Sequence, residues 1–215
     1  MTTRNAVICS VVIILAGLIY SLALYPSLPP LIPIHWGIDG RADGWAPKEW
    51  AAFSGPGFGA LMLGLLLVLP KLSPRQFEVE SFRRTYDYIM VLIVGLFGFI
   101  HVVALQAALN PTLDSGRWVV GGLMLMMALL GNVLGKVRRN FWVGIRTPWT
   151  LASEQVWVAT HRLAARLLVA AGLIGALAAW LGVSLALCLW LLMGALLAPV
   201  VYSLVLYRRT SEADR

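Results

Sequence analysis

Six long apolar runs follow one another along the chain: Ala6–Tyr25, Phe53–Leu69, Tyr88–Leu109, Trp118–Leu134, Leu163–Leu181 and Ser184–Leu206. Each approaches the ~20 residues that carry a helix across the hydrocarbon of a bilayer. No water is available there to satisfy N–H and C=O groups, so a run of this kind must satisfy its own backbone as a helix. The sequence therefore predicts an all-α, polytopic transmembrane helical bundle with six spans. With 60% hydrophobic and 13% charged residues, nothing is left over for a separate soluble domain. We divide the chain into 1–70 (two spans and their outer loop), 71–134 (the third and fourth spans) and 135–215 (an inner motif with the last two spans).

The basic residues set an orientation. Of the 17 Lys and Arg, 14 fall at the N-terminus, in the Pro70–Asp87 and Gly135–Arg166 connections, or in the tail. Only Arg41, Lys48 and Arg117 fall on the other side. Positive charge is retained on the cytoplasmic side, so both termini are expected inside, in a multi-pass protein of a cytoplasmic membrane. The net charge of +7 is then a topological signal and requires no direct nucleic-acid partner. Arg4 precedes the first run, which exceeds the ~7–15 apolar residues of a signal peptide and is expected to remain as a span. Cys9 and Cys188 both lie in spans, which indicates neither a disulfide framework nor a thiolate metal site.

Polar residues inside the spans are costly without partners. His101, Gln106 and Asn132 are the deep ones. Interhelical hydrogen bonding is the ordinary explanation, and a polar pathway or ligand cavity is the alternative. Gly55-x-x-x-Gly59, Ala60-x-x-x-Gly64 and Gly131-x-x-x-Gly135 are expected to let helices approach closely, and Pro199 to kink the sixth span.

Pro26–Ala52 is the long outer loop. Its prolines at 26, 29, 30 and 33 favour extended backbone, and Ile32–Trp36 suits a short strand. Asp39-Gly40 and Asp43-Gly44 are turn signals, and Pro47 suits the first turn of the second span. This is a folded cap. His35, Asp39 and Asp43 have the spacing of metal ligands on a helix, but Gly37, Gly40 and Gly44 argue against a helix here. The run also lacks the third acid and terminal Glu of a calcium loop. Turn formation, with Arg41 or Lys48 pairing with the acids, is the simpler reading. Trp36, Trp45 and Trp50 suit interfacial anchors.

The inner connection is less easily explained by insertion alone. Asn140–Arg162 reads NFWVGIRTPWTLASEQVWVATHR, too apolar for a solvated linker and too polar for a span. Pro148 keeps Thr147 out of helical backbone, and Gly144 can bend the chain before it. Ser153 followed by Glu154 reads as an N-cap with an acid in the first turn. Trp157 and His161, four apart, share a helix face. Arg146 needs a planar acceptor, such as Glu154, Glu78, Glu80, Asp87 or a lipid phosphate. Lys136, Arg138 and Arg139 are covered by the positive-inside bias.

The inner motif resembles the signature of the SdpI family. The outer IPIHWGIDGRADGWAPK resembles the short domain of unknown function that often precedes it. The resemblance places the outer motif on Pro33, His35, Trp36, Asp39, Gly40, Asp43, Gly44 and Lys48. It places the inner motif on Asn140, Gly144, Arg146, Thr147, Pro148, Trp149, Ser153, Trp157 and His161, and Glu154, the acid at the helix start, is a further inner-loop candidate. It implies a bacterial inner-membrane immunity protein against a secreted membrane-active peptide, which would also recruit a small cytoplasmic repressor. On that reading His35, Trp36, Asp39, Asp43 and Lys48 meet the toxin, and the inner residues serve a partner or the motif's own structure.

Two other classes compete. A small transporter or lipid-handling protein would use His101, Gln106, Asn132 and the kinked sixth span. An intramembrane enzyme would use His161 with Glu154 as an acid–base pair. No H-E-x-x-H, G-x-S-x-G or P-loop pattern supports the enzyme, and no cofactor motif is present.

Overall fold

The computed structural model describes residues 1–74 and 77–213. Arg75 and Arg215, two of the basic residues that set the expected orientation, lie outside them. In chain order come α1 (Thr3–Leu24), β1 (Leu31–Trp36), β2 (Ala42–Pro47), α2 (Lys48–Val68), α3 (Arg83–Leu109), α4 (Ser115–Leu134), α5 (Pro148–Ala152), α6 (Glu154–Trp180) and α7 (Leu185–Ala213). Every apolar run is a helix, and six of these helices are long and apolar enough to cross a membrane. The protein is a multi-pass membrane protein.

The first span buries small residues and turns large ones outward, as lipid-embedded helices do. In α1 the buried face is Ala6, Ser10, Gly17 and Ser21, while Val12, Leu15 and Ile19 face out. α1, α2 and α3 pack together, α4, α6 and α7 form a second group, and α3 packs on α4 between them. A Cβ on Gly131 would lie 2.9 Å from both Leu168 Cβ and Val169 N, so α4 and α6 meet backbone to backbone. Gly55 and Gly59 likewise face His101 and Ile14. Gly64 faces open space, so the expected Ala60-x-x-x-Gly64 seam does not form. Pro199 lies within α7.

Two of the deep polar residues are consumed by α1. His101 Nε2 lies 2.7 Å from Ser21 Oγ, which donates onward to Gly17 O. The Gln106 amide donates to the Tyr20 hydroxyl and accepts from Asn110 at 3.0 Å. Asn132 departs from expectation: it is exposed on α4, two residues before the helix ends at Leu134, so it reaches the interface instead of a buried pathway. A polar route through the bundle therefore loses one of its three residues.

The outer loop is a hairpin, with β1 antiparallel to β2. One strand was legible. The second was not, because Asp43-Gly44 reads as a turn but sits in β2, where the register slips around His35. A Cβ on Gly44 would lie 2.9 Å from His35 Cβ, so glycine accommodates the irregularity. Asp39-Gly40 does form the turn, with Gly40 at φ +80°. Two proline expectations fail in detail. Pro26 sits in a 3-10 turn, Tyr25–Ser27, and Pro47 caps α2 from outside its first turn.

Candidate functional site

Thr3 Oγ1 donates to Asp87 at the start of α3, 2.8 Å away, which places the start of α1 and the α2–α3 connection at one end of the bundle. Trp36 Nε1 donates to Ser115 Oγ at the start of α4, 2.7 Å away. The hairpin and the α3–α4 connection thus share the other end. The inner motif, which links α4 to α6, lies opposite the hairpin.

At the hairpin end, the turn rests directly on α4: a Cβ on Gly116 would collide with the backbone of Gly40. Ile32, fully buried, anchors β1 on Leu28, Ala52, Ala104 and Leu105. His35 Nδ1 faces Asp43 Oδ1 across the hairpin at 2.5 Å, and both side chains are more than half exposed. Asp39 accepts the Arg41 backbone N–H at 3.1 Å and stands 3.9 Å from the Arg41 guanidinium. Lys48 pairs with no acid among the described residues. Its ammonium lies 4.7 Å from the centre of the Tyr25 ring, because the helix start carries it back over the end of α1. Trp36 is only partly exposed and tied to Ser115, so it is a strut of the cap and not the interfacial anchor expected; Trp45 and Trp50 remain half exposed.

A cavity of about 580 Å³ opens between the hairpin and the α3–α4 connection. Among its walls are Pro33, Asp39, Arg41, Trp45, Asp114 and Ser115. Of the five outer residues singled out from sequence, only Asp39 lines it. Trp36 lines a smaller cleft of about 200 Å³ with Trp50, Phe58 and His101. Asp114 and Ser115 were missed, although Asp-Ser before an apolar run is an N-cap signal. Asp114 does cap α4, and it holds Arg117 at 2.6 Å.

At the opposite end, the inner motif is folded around its own polar atoms. Asn140, fully buried, uses its whole amide: Oδ1 accepts the Trp142 and Val143 N–H groups at 2.7 Å, and Nδ2 donates to Arg138 O and Val143 O. Three indole N–H groups reach three different places. Trp142 donates to Ser73 Oγ, Trp149 to Ser203 Oγ in α7, and Trp157 to Val137 O. Thr147 is extended, as the following Pro148 requires, and forms a reciprocal cap with Thr150 on α5. Ser153 then caps α6 by accepting the Val156 N–H.

His161 is the keystone. It is 1% exposed and stacks on Trp157 with ring centres 4.0 Å apart. Nδ1 lies 2.8 Å from Trp157 O, a pure acceptor, so Nδ1 carries the proton. Nε2 then accepts the Ile145 N–H at 2.9 Å. Gly144, at φ +112°, delivers that N–H, and a Cβ there would run into His161 Nε2. Both ring nitrogens are committed to backbone, and Glu154 pairs elsewhere. The His161–Glu154 acid–base pair does not form.

The arginine assignments reverse. Arg146 is exposed, donates to Phe141 O, and has no carboxylate partner among the described residues. Three of the four acids expected to accept it are engaged elsewhere: Glu154 lies 3.6 Å from Arg139, while Glu80 and Asp87 both face Arg83. Arg139 also donates to Leu151 O at 3.0 Å and lies over the Phe77 ring. Arg139→Ala is therefore expected to cost about 1–3 kcal/mol, mostly the lost bond to Leu151 O, since the half-exposed ion pair adds under ~1 kcal/mol. Arg146→Ala should cost less. Thermal melts of the two variants in detergent check the order.

A six-span membrane protein with a hairpin cap at one end and a locked aromatic–arginine element at the other is the class these features define. Residues 136–206 match the SdpI/YfhL protein family, and residues 12–60 match a domain of unknown function, DUF1648. The last third of the chain is thus similar to the SdpI family, with a DUF1648-like segment ahead of it. It is similar to the Immunity protein SdpI of Bacillus subtilis (strain 168), 25% identical over 170 residues, which cover 78% of each chain. No solved structure matches it.

Proposed function

We propose that this chain is a non-enzymatic immunity protein of a bacterial cytoplasmic membrane, protecting its cell against a secreted, membrane-active toxic peptide. The similarity to an immunity protein over most of both chains carries the reading. The hairpin-end cavity supports it, since Asp39, Arg41, Asp114 and Trp45 offer both charge signs and an aromatic face to a peptide. His35 and Asp43, exposed beside it, extend that surface. The inner motif's buried groups serve as scaffold, and its exposed Phe141 and Arg146 present a surface to a cytoplasmic repressor. Such a sensor needs two sites whose ligands favour the same state of the bundle.

Expression in a sensitive strain tests the function: survival against a panel of secreted membrane-active peptides should rise over the empty vector, and unchanged survival across the panel rejects it. The orientation has its own test. In a background lacking Cys9 and Cys188, Ala42→Cys should react with an impermeant thiol reagent on intact cells, and Ala152→Cys should not. Reversed labelling inverts the assignment of toxin and partner faces.

A further inference from the structure

A second cavity, about 630 Å³, opens at the end opposite the hairpin, between the start of α3 and the junction of α4 with α6. Five cationic residues line it, Arg83, Arg84, Lys136, Arg138 and Arg162, against one acid, Glu80. Arg83 is neutralised by Asp87 at 3.1 Å and by Glu80 at 3.9 Å. The other four cations have no carboxylate partner among the described residues, and all four are exposed to the cleft's solvent side. The floor is apolar and firm, with Phe82 and Val137 both buried.

Positive-inside bias accounts for the sign of these charges but not for their convergence. Arg4, Arg146, Arg166, Arg208 and Arg209 carry the same bias and do not line the cleft. Four unneutralised cations around one concavity repel one another unless an anion sits among them. The volume is that of a small-molecule site. The cleft borders the ends of membrane-spanning helices, where basic pockets take phosphate headgroups. Three of the free cations, Arg84, Arg138 and Arg162, are arginines whose planar forks match phosphate oxygens.

We propose that this cleft is a phosphate-binding site that holds the headgroup of an anionic phospholipid between α3, α4 and α6. Headgroup binding would tie the α1–α3 group to the α4–α6–α7 group at the end where the inner motif folds. The site depends on the cleft's charges alone and stands whether or not the immunity reading does.

The test is native mass spectrometry of protein released from nanodiscs of phosphatidylcholine doped with phosphatidylglycerol. Wild type should retain phosphatidylglycerol. An Arg138→Gln/Arg162→Gln variant should retain it at least about tenfold less, while Arg208→Gln/Arg209→Gln, which removes the same charge outside the cleft, should match wild type. Arg138→Lys/Arg162→Lys should recover part of the loss, and because all these side chains are exposed, thermal melts should stay near wild type. Inorganic phosphate should fail to displace the lipid. If phosphate binds and displaces it, the cleft is a phosphate site fed by free phosphate and the headgroup assignment is overturned. Equal loss in the tail and cleft variants, or no loss in either, overturns the site altogether.

Discussion

Gly144→Ala is expected to lower the stability of the protein by about 2–6 kcal/mol. Two terms add. At φ +112° an L-residue is strained by about 1–3 kcal/mol. The new methyl would also lie too close to His161 Nε2 to coexist with it, so the ring must shift away from the Ile145 N–H. Leaving that partly buried N–H without a partner costs up to a further ~1–3 kcal/mol. Gly182 supplies the control, because its φ is +92° yet a Cβ there meets nothing within 4 Å. Gly182→Ala should therefore show the strain alone. Melting temperatures in detergent compare them: a clear drop for Gly144→Ala beyond that for Gly182→Ala supports the His161 clash, and equal drops remove it.

Trp157→Ala should cost about 3–5 kcal/mol, the range for emptying a large aromatic site in a packed core. Trp157 is 0% exposed, stacks on His161, and ties α6 to the α4 exit through Val137 O. Trp157→Phe keeps an aromatic surface against the imidazole and loses the N–H bond, so it should cost less, about 1–3 kcal/mol. The pair separates packing from hydrogen bonding. If the Phe variant is as damaged as the Ala variant, the indole N–H and not the packed ring supports the motif.

These two residues show what was legible in the sequence and what was not. Trp157 and His161 share a face because helical spacing puts residues four apart together, and Thr147 is extended because Pro148 follows it. The six spans were legible for the same local reason, since apolar runs of bilayer length leave the backbone no other choice. Contacts between distant segments were not. Arg139 meets Glu154 across a folded loop, whereas Arg146 beside it is exposed, and nothing local distinguishes the two arginines. β2 escaped because Asp43-Gly44 has turn chemistry but serves as a strand irregularity. Asn132 looked buried by its neighbours and is exposed by its place near the end of α4. At the hairpin end, the acids were visible, but which of them shares a cavity depends on where the hairpin lies on α4.

Protection is proposed to depend on the hairpin end, while the inner motif supports the fold. That dependence is tested most directly by survival of the sensitive strain, challenged with the peptide against which the wild-type protein protects. Asp39→Asn/Arg41→Gln and His35→Ala/Asp43→Asn change exposed groups, so membrane levels and melting temperatures should match wild type while survival falls toward that of the empty vector. Arg146→Gln, exposed at the opposite end, should keep both normal levels and full protection. Undiminished survival in both hairpin variants, or loss of protection in a stable Arg146→Gln protein, would contradict the account and move the protective surface to the other end of the bundle.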